Sequence, residues 1–146
     1  MKILIVDDSR AMQAIVRRAV IETGIEALDI QTASSGHDAL NQVQSFKPDV
    51  VLTDLMMPGM DGFQLVRSLK SPNLGFDSLR LVVVSALSRQ DIQNRGGLPE
   101  SVDIFEKPIP FDRIEAIVLH EVQHLTASRA RALAEAELAN NLLIEI

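Results

Sequence analysis

Acidic, basic and hydroxyl side chains stand directly behind the short apolar segments of this sequence. Asp7 and Asp8 follow the first segment, while Asp54, Ser85 and Lys107 follow the third, fourth and fifth. Three carboxylates within a few ångströms repel one another, which raises at least one pKa unless a divalent cation offsets the charge. Mg²⁺ prefers oxygen ligands and therefore suits such a group. Beside that cation, an ammonium and a hydroxyl can hold a phosphoryl group while one carboxylate acts as the nucleophile.

Each of these side chains has an ordinary structural explanation when it is considered alone. A single aspartate at the end of a strand more often caps a helix or closes a turn. Ser85 alone would be a turn or capping serine, and Lys107 alone would be a solvated surface lysine. Their joint placement favours chemistry, because the carboxyl ends of parallel strands bring functional groups to one edge of an α/β sheet.

The elements that must position these groups are short apolar runs that alternate with segments of helical period. This alternation predicts an α/β fold in which helices cover a parallel sheet. We predict five strands, at about residues 3–6, 28–32, 50–52, 81–84 and 102–105. The first of them has no polar break, as a strand that is buried on both faces requires.

The segments between and after the strands predict five helices. In the first, Ser9 is a suitable N-cap, and a stripe of helical period is formed by Met12, Ile15, Val16, Ala19 and Val20. The fourth, within residues 88–95, should be short or irregular because glycines and a proline follow it. The fifth should run from about residue 111 to 143. At 1.5 Å per residue it would be on the order of 50 Å long, so its C-terminal half should project from the body.

Composition restricts the classes of protein to which the chain can belong. Its 146 residues, 47% of them hydrophobic, predict one globular domain with an appendage. The 14 Lys and Arg against 20 Asp and Glu give a net charge of −6, which disfavours direct binding to nucleic acid or an anionic membrane. The absence of cysteine excludes disulfide scaffolds, cysteine-ligated metals and thiol nucleophiles. The N-terminal apolar run is too short for a signal peptide or a membrane span, so we expect a cytoplasmic protein.

Four segments together resemble the receiver domain of bacterial two-component response regulators. They are Ile3–Ser9, Asp49–Gly62, Val84–Ala86 and Glu106–Pro108, in that order and at suitable spacing. The resemblance covers about residues 1–122 and leaves 123–146 as a helical extension. It implies a doubly wound, five-stranded parallel sheet with strand order 2-1-3-4-5, flanked by helices. It also implies a signalling switch that receives a phosphoryl group on an aspartate from a histidine kinase or a histidine phosphotransfer protein.

The same resemblance implies a role for each acidic residue. Asp54 corresponds to the phosphoacceptor, Asp8 to a direct ligand of Mg²⁺, and Asp7 to a ligand that acts largely through water. The backbone carbonyl of Met56 would complete the protein ligands of the ion. Beyond Mg²⁺-dependent self-phosphorylation from a phosphodonor and slow self-dephosphorylation, the resemblance implies no enzymatic activity.

The switch residues follow the family pattern with one departure. Ser85 corresponds to the hydroxyl that moves to the phosphoryl group, Lys107 to the cation that pairs with it, and Pro108 to a proline preceded by a cis bond. Where the family usually has a rotating Tyr or Phe, this sequence has Ile104, which could simply pack against the fourth helix. Phe105 should point to the opposite face of the sheet.

The residues that govern hydrolysis of the aspartyl phosphate in the family are apolar here. They lie two positions beyond the acceptor and two beyond the switch hydroxyl, where this sequence has Met56 and Leu87. Neither side chain can orient a water molecule. We therefore expect a long-lived phosphoryl state.

The C-terminal extension allows three interpretations. A heptad seam with one polar interruption runs through Val118, Val122, Leu125, Arg129, Ala132, Ala136, Ala139, Leu143 and Ile146. It would suit a homodimer formed through residues 118–146. It could instead be the linker to an output domain that follows residue 146, the chain then being a fragment of a larger regulator. Thirdly, the helix could fold back on its own domain or fray.

Three other functions compete with a phosphorylated switch. A Mg²⁺-dependent phosphatase could use Asp54 as nucleophile, but such enzymes generally carry a second acid where this chain has Met56. A flavodoxin-like protein needs a phosphate cradle after the first strand, where Asp7 and Asp8 would repel the flavin phosphate. A receiver that signals without phosphorylation is disfavoured because the whole set of site residues is present.

Overall fold

The computed structural model describes residues 1–76, 78–108 and 111–144. Its strands form one parallel sheet in the order β2-β1-β3-β4-β5, which confirms the predicted topology. Their bounds are β1 Lys2–Val6, β2 Asp29–Ala33, β3 Val50–Thr53, β4 Arg80–Ser85 and β5 Asp103–Glu106.

Helices connect the strands and cover both faces of the sheet. They are α1 Arg10–Ile21, α2 Gly36–Phe46, α3 Gly62–Leu69, α4 Arg89–Asn94 and α5 Phe111–Ile144, with a 3₁₀ turn at Pro72–Leu74. The fourth helix is short, as the glycines that follow it predict, and the fifth is long and uninterrupted. Four of the helices begin at side-chain caps, which are Ser9, Ser35, Asp61 and Ser88. These caps satisfy backbone N–H groups that the first helical turn leaves without partners.

Two apolar cores lie on opposite faces of the sheet, and strand alternation assigns each residue to one of them. In β1, Leu4 points to the face covered by α2, α3 and α4, whereas Ile3 and Ile5 point to the face covered by α1 and α5. Burial on both faces explains why β1, β3 and β4 are almost continuously apolar. Ile104 and Phe105 are divided between the two cores, as strand alternation predicts.

The predicted stripe of α1 is wrong at one position. Ile15 is 45% exposed, whereas Gln13 is buried in the turn before Val16. The helix packs through Val16, Ala19 and Val20, so Ile15 lies roughly 100° around the axis from Val16 and faces solvent. A polar residue therefore takes an inward position that the apolar pattern assigned to an isoleucine.

The first part of α5 packs against the domain, and the later part is exposed to solvent. Val118 is 1% exposed and packs in the core against the sheet. The guanidinium of Arg80, at the start of β4, lies 3.0 Å from Glu121 of this helix. From residue 126 to 143 every side chain is exposed. The predicted dimer seam is thus wrong at its start, because the core already covers Val118, and its last residue, Ile146, lies outside the described residues.

The described helices include none that is both long enough and apolar enough to span a membrane. This holds for the 34-residue α5, which carries charged residues between Asp112 and Glu137.

A close backbone contact at the start of α3 requires glycine. A Cβ on Gly62 would run into the carbonyl oxygen of Asp54 and lie 2.6 Å from the Cα of Leu55. We expect Gly62→Ala to lower the free energy of unfolding by about 3 kcal/mol, measured by urea titration, because the backbone must move. The comparison is Gly24→Ala, which has open space and a φ of +72°, and should cost about 1 kcal/mol. Equal losses in the two variants would contradict this explanation.

Candidate functional site

The acidic residues singled out in the sequence lie together at the carboxyl edge of the sheet. Asp7 and Asp8 follow β1 and Asp54 follows the neighbouring strand β3, so strand pairing sets their separation. One carboxylate oxygen from each lies within 4.8 Å of the others. Asp7 and Asp54 are buried, at 4% and 8% exposure, whereas Asp8 faces solvent. The trio therefore opens outward through Asp8.

The ammonium group of Lys107 reaches into this trio from the end of β5. Its Nζ atom lies 3.2 Å from Asp54 Oδ2 and 3.4 Å from Asp7 Oδ2. The peptide bond between Lys107 and Pro108 is cis. One cation thus faces two buried carboxylates, and the four side chains retain a formal excess of negative charge when all are ionised.

Backbone hydrogen bonds fix the orientation of Asp54. Its Oδ1 accepts the N–H of Leu55 at 2.7 Å and that of Met56 at 3.4 Å. The Thr53 hydroxyl donates to the backbone carbonyl of Asp54 at 2.8 Å. With Oδ1 held by the following turn, Oδ2 is the oxygen that faces Lys107.

Gln13 is the residue of this region that sequence reasoning missed. Its amide nitrogen donates to the backbone carbonyls of Asp7 at 2.7 Å and Ala33 at 3.2 Å, and to the Ser34 hydroxyl at 3.1 Å. These bonds join the ends of β1 and β2, while the Ser9 N–H binds Asp7 Oδ1 at 2.9 Å. A glutamine on the apolar side of an amphipathic helix was the signal that could have identified it, since buried amides require partners.

The predicted switch residues lie on the neighbouring strands β4 and β5. Ser85 is fully buried at the end of β4, and its Oγ accepts the N–H of Leu87 at 3.2 Å. The hydroxyl proton of Ser85 therefore remains available for another acceptor. Ile104 packs in the core cluster that also contains Ile92 of α4.

The surface beside Asp54 is formed by Met56 and by Arg95, the residue that follows α4. Met56 is 47% exposed, and its sulfur lies 3.5 Å from the Arg95 guanidinium nitrogen at the end of α4. Leu87 is partly buried against the core. The rim of the site is consequently apolar where it adjoins the turn after β3.

Burial raises the pKa of the Asp7 carboxyl above its ordinary value, and the nearby charge of Asp54 adds to this rise. The hydrogen bond from Ser9 and the ammonium of Lys107 oppose the shift without cancelling it. The ionised form of Asp7 is therefore costly in the chain alone. Three carboxylates beside one partly buried ammonium group make a set of oxygen ligands that fits a hard divalent ion.

Comparison with known proteins identifies the family. A profile described as the response regulator receiver domain matches residues 3–119. The chain belongs to this family. Receiver domains are phosphorylation-dependent signalling modules that bind Mg²⁺ at an acidic pocket, and response regulators interact with histidine kinases or phosphotransfer proteins. The acidic pocket of this chain is the trio of Asp7, Asp8 and Asp54.

Individual relatives agree with this assignment. The response regulator MprA of Mycolicibacterium vanbaalenii is 35% identical over 111 residues, which are 75% of this chain and 44% of that protein. The DNA-binding transcriptional regulator NtrC of Klebsiella pneumoniae is 30% identical over 120 residues, or 82% of this chain and 24% of that protein. The chain thus spans less than half the length of these relatives.

A solved structure extends the comparison to three dimensions. The two component transcriptional regulator AraC from Clostridium phytofermentans superposes with a TM-score of 0.72 at 25% sequence identity. The superposition covers 89% of this chain and 98% of that one. The receiver domain of the Francisella response regulator 1452 shares the fold, with a TM-score of 0.67 at 24% identity.

The raised pKa of Asp7 predicts a particular pH dependence of stability. Between the ordinary and the raised value, the folded chain holds a proton that the unfolded chain has released, so stability falls as pH rises through this interval. Without divalent cations at neutral pH, Asp7→Asn should therefore raise the melting temperature by a few degrees and remove that loss. Asp8→Asn is the control, because solvent already screens this exposed carboxylate. Thermal denaturation from pH 3 to 8 measures both, and a lower melting temperature for Asp7→Asn would contradict the explanation.

Proposed function

We propose that this chain is a phosphoryl switch in which Asp54 accepts the phosphoryl group from a histidine kinase or a histidine phosphotransfer protein, with Mg²⁺ bound by the acidic trio. The observation that carries the proposal is the position of Asp54. Its carboxylate is buried beside Asp7 and Asp8 and lies 3.2 Å from the ammonium of Lys107. Family membership adds the phosphorylation-dependent signalling role.

In the proposed reaction, a carboxylate oxygen of Asp54 forms a bond to phosphorus while the phosphorus–nitrogen bond to the donor histidine breaks. The imidazole leaves with the electron pair of that bond. Mg²⁺, held by Asp7, Asp8, Asp54 and the Met56 carbonyl, would supply charge neutralisation for the phosphoryl oxygens. Lys107 offsets negative charge at the same place, which is the main contribution a protein makes to phosphoryl transfer.

The proposed conformational response runs through β4 and β5. A phosphoryl oxygen on Asp54 offers an acceptor for the Ser85 hydroxyl, whose proton is not used by its bond to Leu87. Ile104 has no hydroxyl or aromatic ring to rotate, and it shares a core cluster with Ile92. We therefore expect the switch to change the packing of α4 on β5 rather than to turn an aromatic side chain between two positions.

The same geometry argues against an enzyme that acts on an external substrate. A phosphatase of the aspartyl type would need a second acid where Met56 stands, and that side chain is exposed and lies against Arg95. The proposed chemistry is limited to self-phosphorylation and slow self-dephosphorylation. Signalling then occurs through changed contacts with other proteins, including a homodimer through the exposed part of α5 or an output domain that follows residue 146.

The first test is phosphorylation itself. With Mg²⁺ and a small phosphodonor such as acetyl phosphate, the chain should gain one phosphoryl group, measured by intact mass and by phosphate-affinity electrophoresis. Asp54→Asn should abolish the gain, because the nucleophilic oxygen pair is lost. Asp49→Asn is the matched control, since this aspartate binds the Lys2 amide away from the trio. Equal labelling of the Asp54→Asn chain, or labelling that survives removal of divalent ions, would overturn the proposal.

The apolar rim predicts slow hydrolysis of the phosphorylated chain. After the donor is removed, the phosphoryl group should persist for minutes to hours rather than seconds. The double variant Met56→Asn with Leu87→Gln should lose the phosphoryl group roughly tenfold faster or more, because the introduced amide side chains can orient a water molecule. Met56→Leu is the apolar control and should leave the rate unchanged. The decay of phosphorylated mass with time provides the measurement, and loss within seconds from the unaltered chain would contradict the prediction.

A further inference from the structure

The outer part of α5 exposes large apolar side chains along its length. We call residues 126–143 the arm. Every side chain in it is exposed, and Leu133 is 66% accessible to solvent. Three further leucines of the arm are also exposed: Leu138, Leu142 and Leu143. At about 100° per residue, Leu143 lies about 80° around the helix from Leu133, whereas Leu138 and Leu142 lie on the opposite side. The face that carries Leu133 is the one considered below.

One face of the arm is self-complementary about its central leucine. Residues spaced by three and four positions share a face of a helix, and those that share the face of Leu133 are Thr126, Arg129, Ala130, Ala136, Glu137 and Asn140. Positions at equal distance on the two sides of Leu133 correspond in type. Ala130 corresponds to Ala136, three positions away on each side. At four positions Arg129 corresponds to Glu137, and at seven positions Thr126 corresponds to Asn140. The order of chemical types is therefore matched between the two halves, with charges of opposite sign.

We propose that this face binds a second copy of the chain as an antiparallel helix pair, with the two-fold axis passing Leu133. Each Arg129 then faces Glu137 of the other copy, and the alanines on either side of Leu133 let the helices approach closely. A parallel pair in register would instead set Arg129 against Arg129 and Glu137 against Glu137. Like charges in contact disfavour that arrangement, so charge selects the antiparallel one.

A groove at the base of the arm lies where the antiparallel partner ends. It has a volume of about 160 Å³ and is lined by Met1, Glu26, Ala27, Val122, Leu125, Thr126 and Arg129. Leu143 lies ten positions beyond Leu133, so in the second copy it arrives at the level of residue 123. This leucine is 71% exposed in the single chain. The groove offers it apolar side chains from the domain itself, which extends the contact beyond the arm.

The antiparallel pair adds to the proposed function the surface through which two copies assemble. Only the signalling role of the pair rests on the proposed function. Pairing requires no phosphoryl group. A chain that pairs but fails to label on Asp54 would overturn the phosphoryl switch alone, whereas a labelled chain that stays monomeric would overturn the pairing alone.

The first experiment exchanges the charges and measures the dimer dissociation constant by analytical ultracentrifugation at low salt. Arg129→Glu or Glu137→Arg places like charges at both ends of the pair, so each should raise the constant roughly tenfold or more. The double variant restores opposite charges and should return the constant to near its original value. Arg131→Glu makes the same charge change on the opposite face and should have little effect.

The second experiment determines orientation and uses the absence of native cysteine. Thr126→Cys and Asn140→Cys are purified separately, mixed, and oxidised. The antiparallel pair brings these two positions together, so a disulfide should link one variant to the other, while neither variant links to itself. Self-linking of Thr126→Cys would show a parallel pair and overturn the proposal. A monomer at every concentration, or a double charge variant that stays dissociated, would overturn it as well.

Discussion

The mutual repulsion of three carboxylates at one edge of the sheet is the constraint on which the site depends. Asp7 and Asp54 are removed from water, so their charges are not screened as surface charges are. Lys107 neutralises part of this charge, and the N–H groups of Leu55 and Ser9 each hold one carboxylate oxygen. These contacts hold the three carboxylates together, but they leave an excess of negative charge that suits a cation. The proposed phosphoryl switch would need that combination, because a phosphoryl group on Asp54 would add further negative charge.

The scaffold holds this unfavourable group of charges by fixing its backbone. Strands β1 and β3 are paired residue by residue up to the acidic turns, and Gln13 joins the ends of β1 and β2. Gly62 allows α3 to begin against the carbonyl of Asp54 without a side chain between them. None of these residues carries out chemistry. Together they keep the carboxylates from moving apart, which is the simplest way in which their repulsion could otherwise be relieved.

Much of the fold and the list of site residues could be predicted because both follow from local patterns. Apolar runs predicted the strands, the family resemblance implied their order, and the strand ends placed Asp54 and Lys107 at one edge. The pattern failed where tertiary contacts decide. Gln13 lies on the inner face in place of Ile15 because its amide nitrogen donates to a backbone carbonyl there. Val118 lies in the core because its side chain packs against the sheet. The contact between Arg95 and Met56 joins positions 39 residues apart, so sequence spacing gives no sign of it.

The unbroken passage of α5 from the core to the exterior makes the arm a lever. Its inner turns are held by Val118 in the core and by the pair of Glu121 with Arg80, and no glycine or proline interrupts the helix beyond them. Eighteen residues at 1.5 Å each give the arm a length of about 27 Å, so a tilt of about 10° at its base displaces the tip by about 5 Å. A small change in packing against the sheet is thereby magnified at a distance, without any change in the shape of the helix itself.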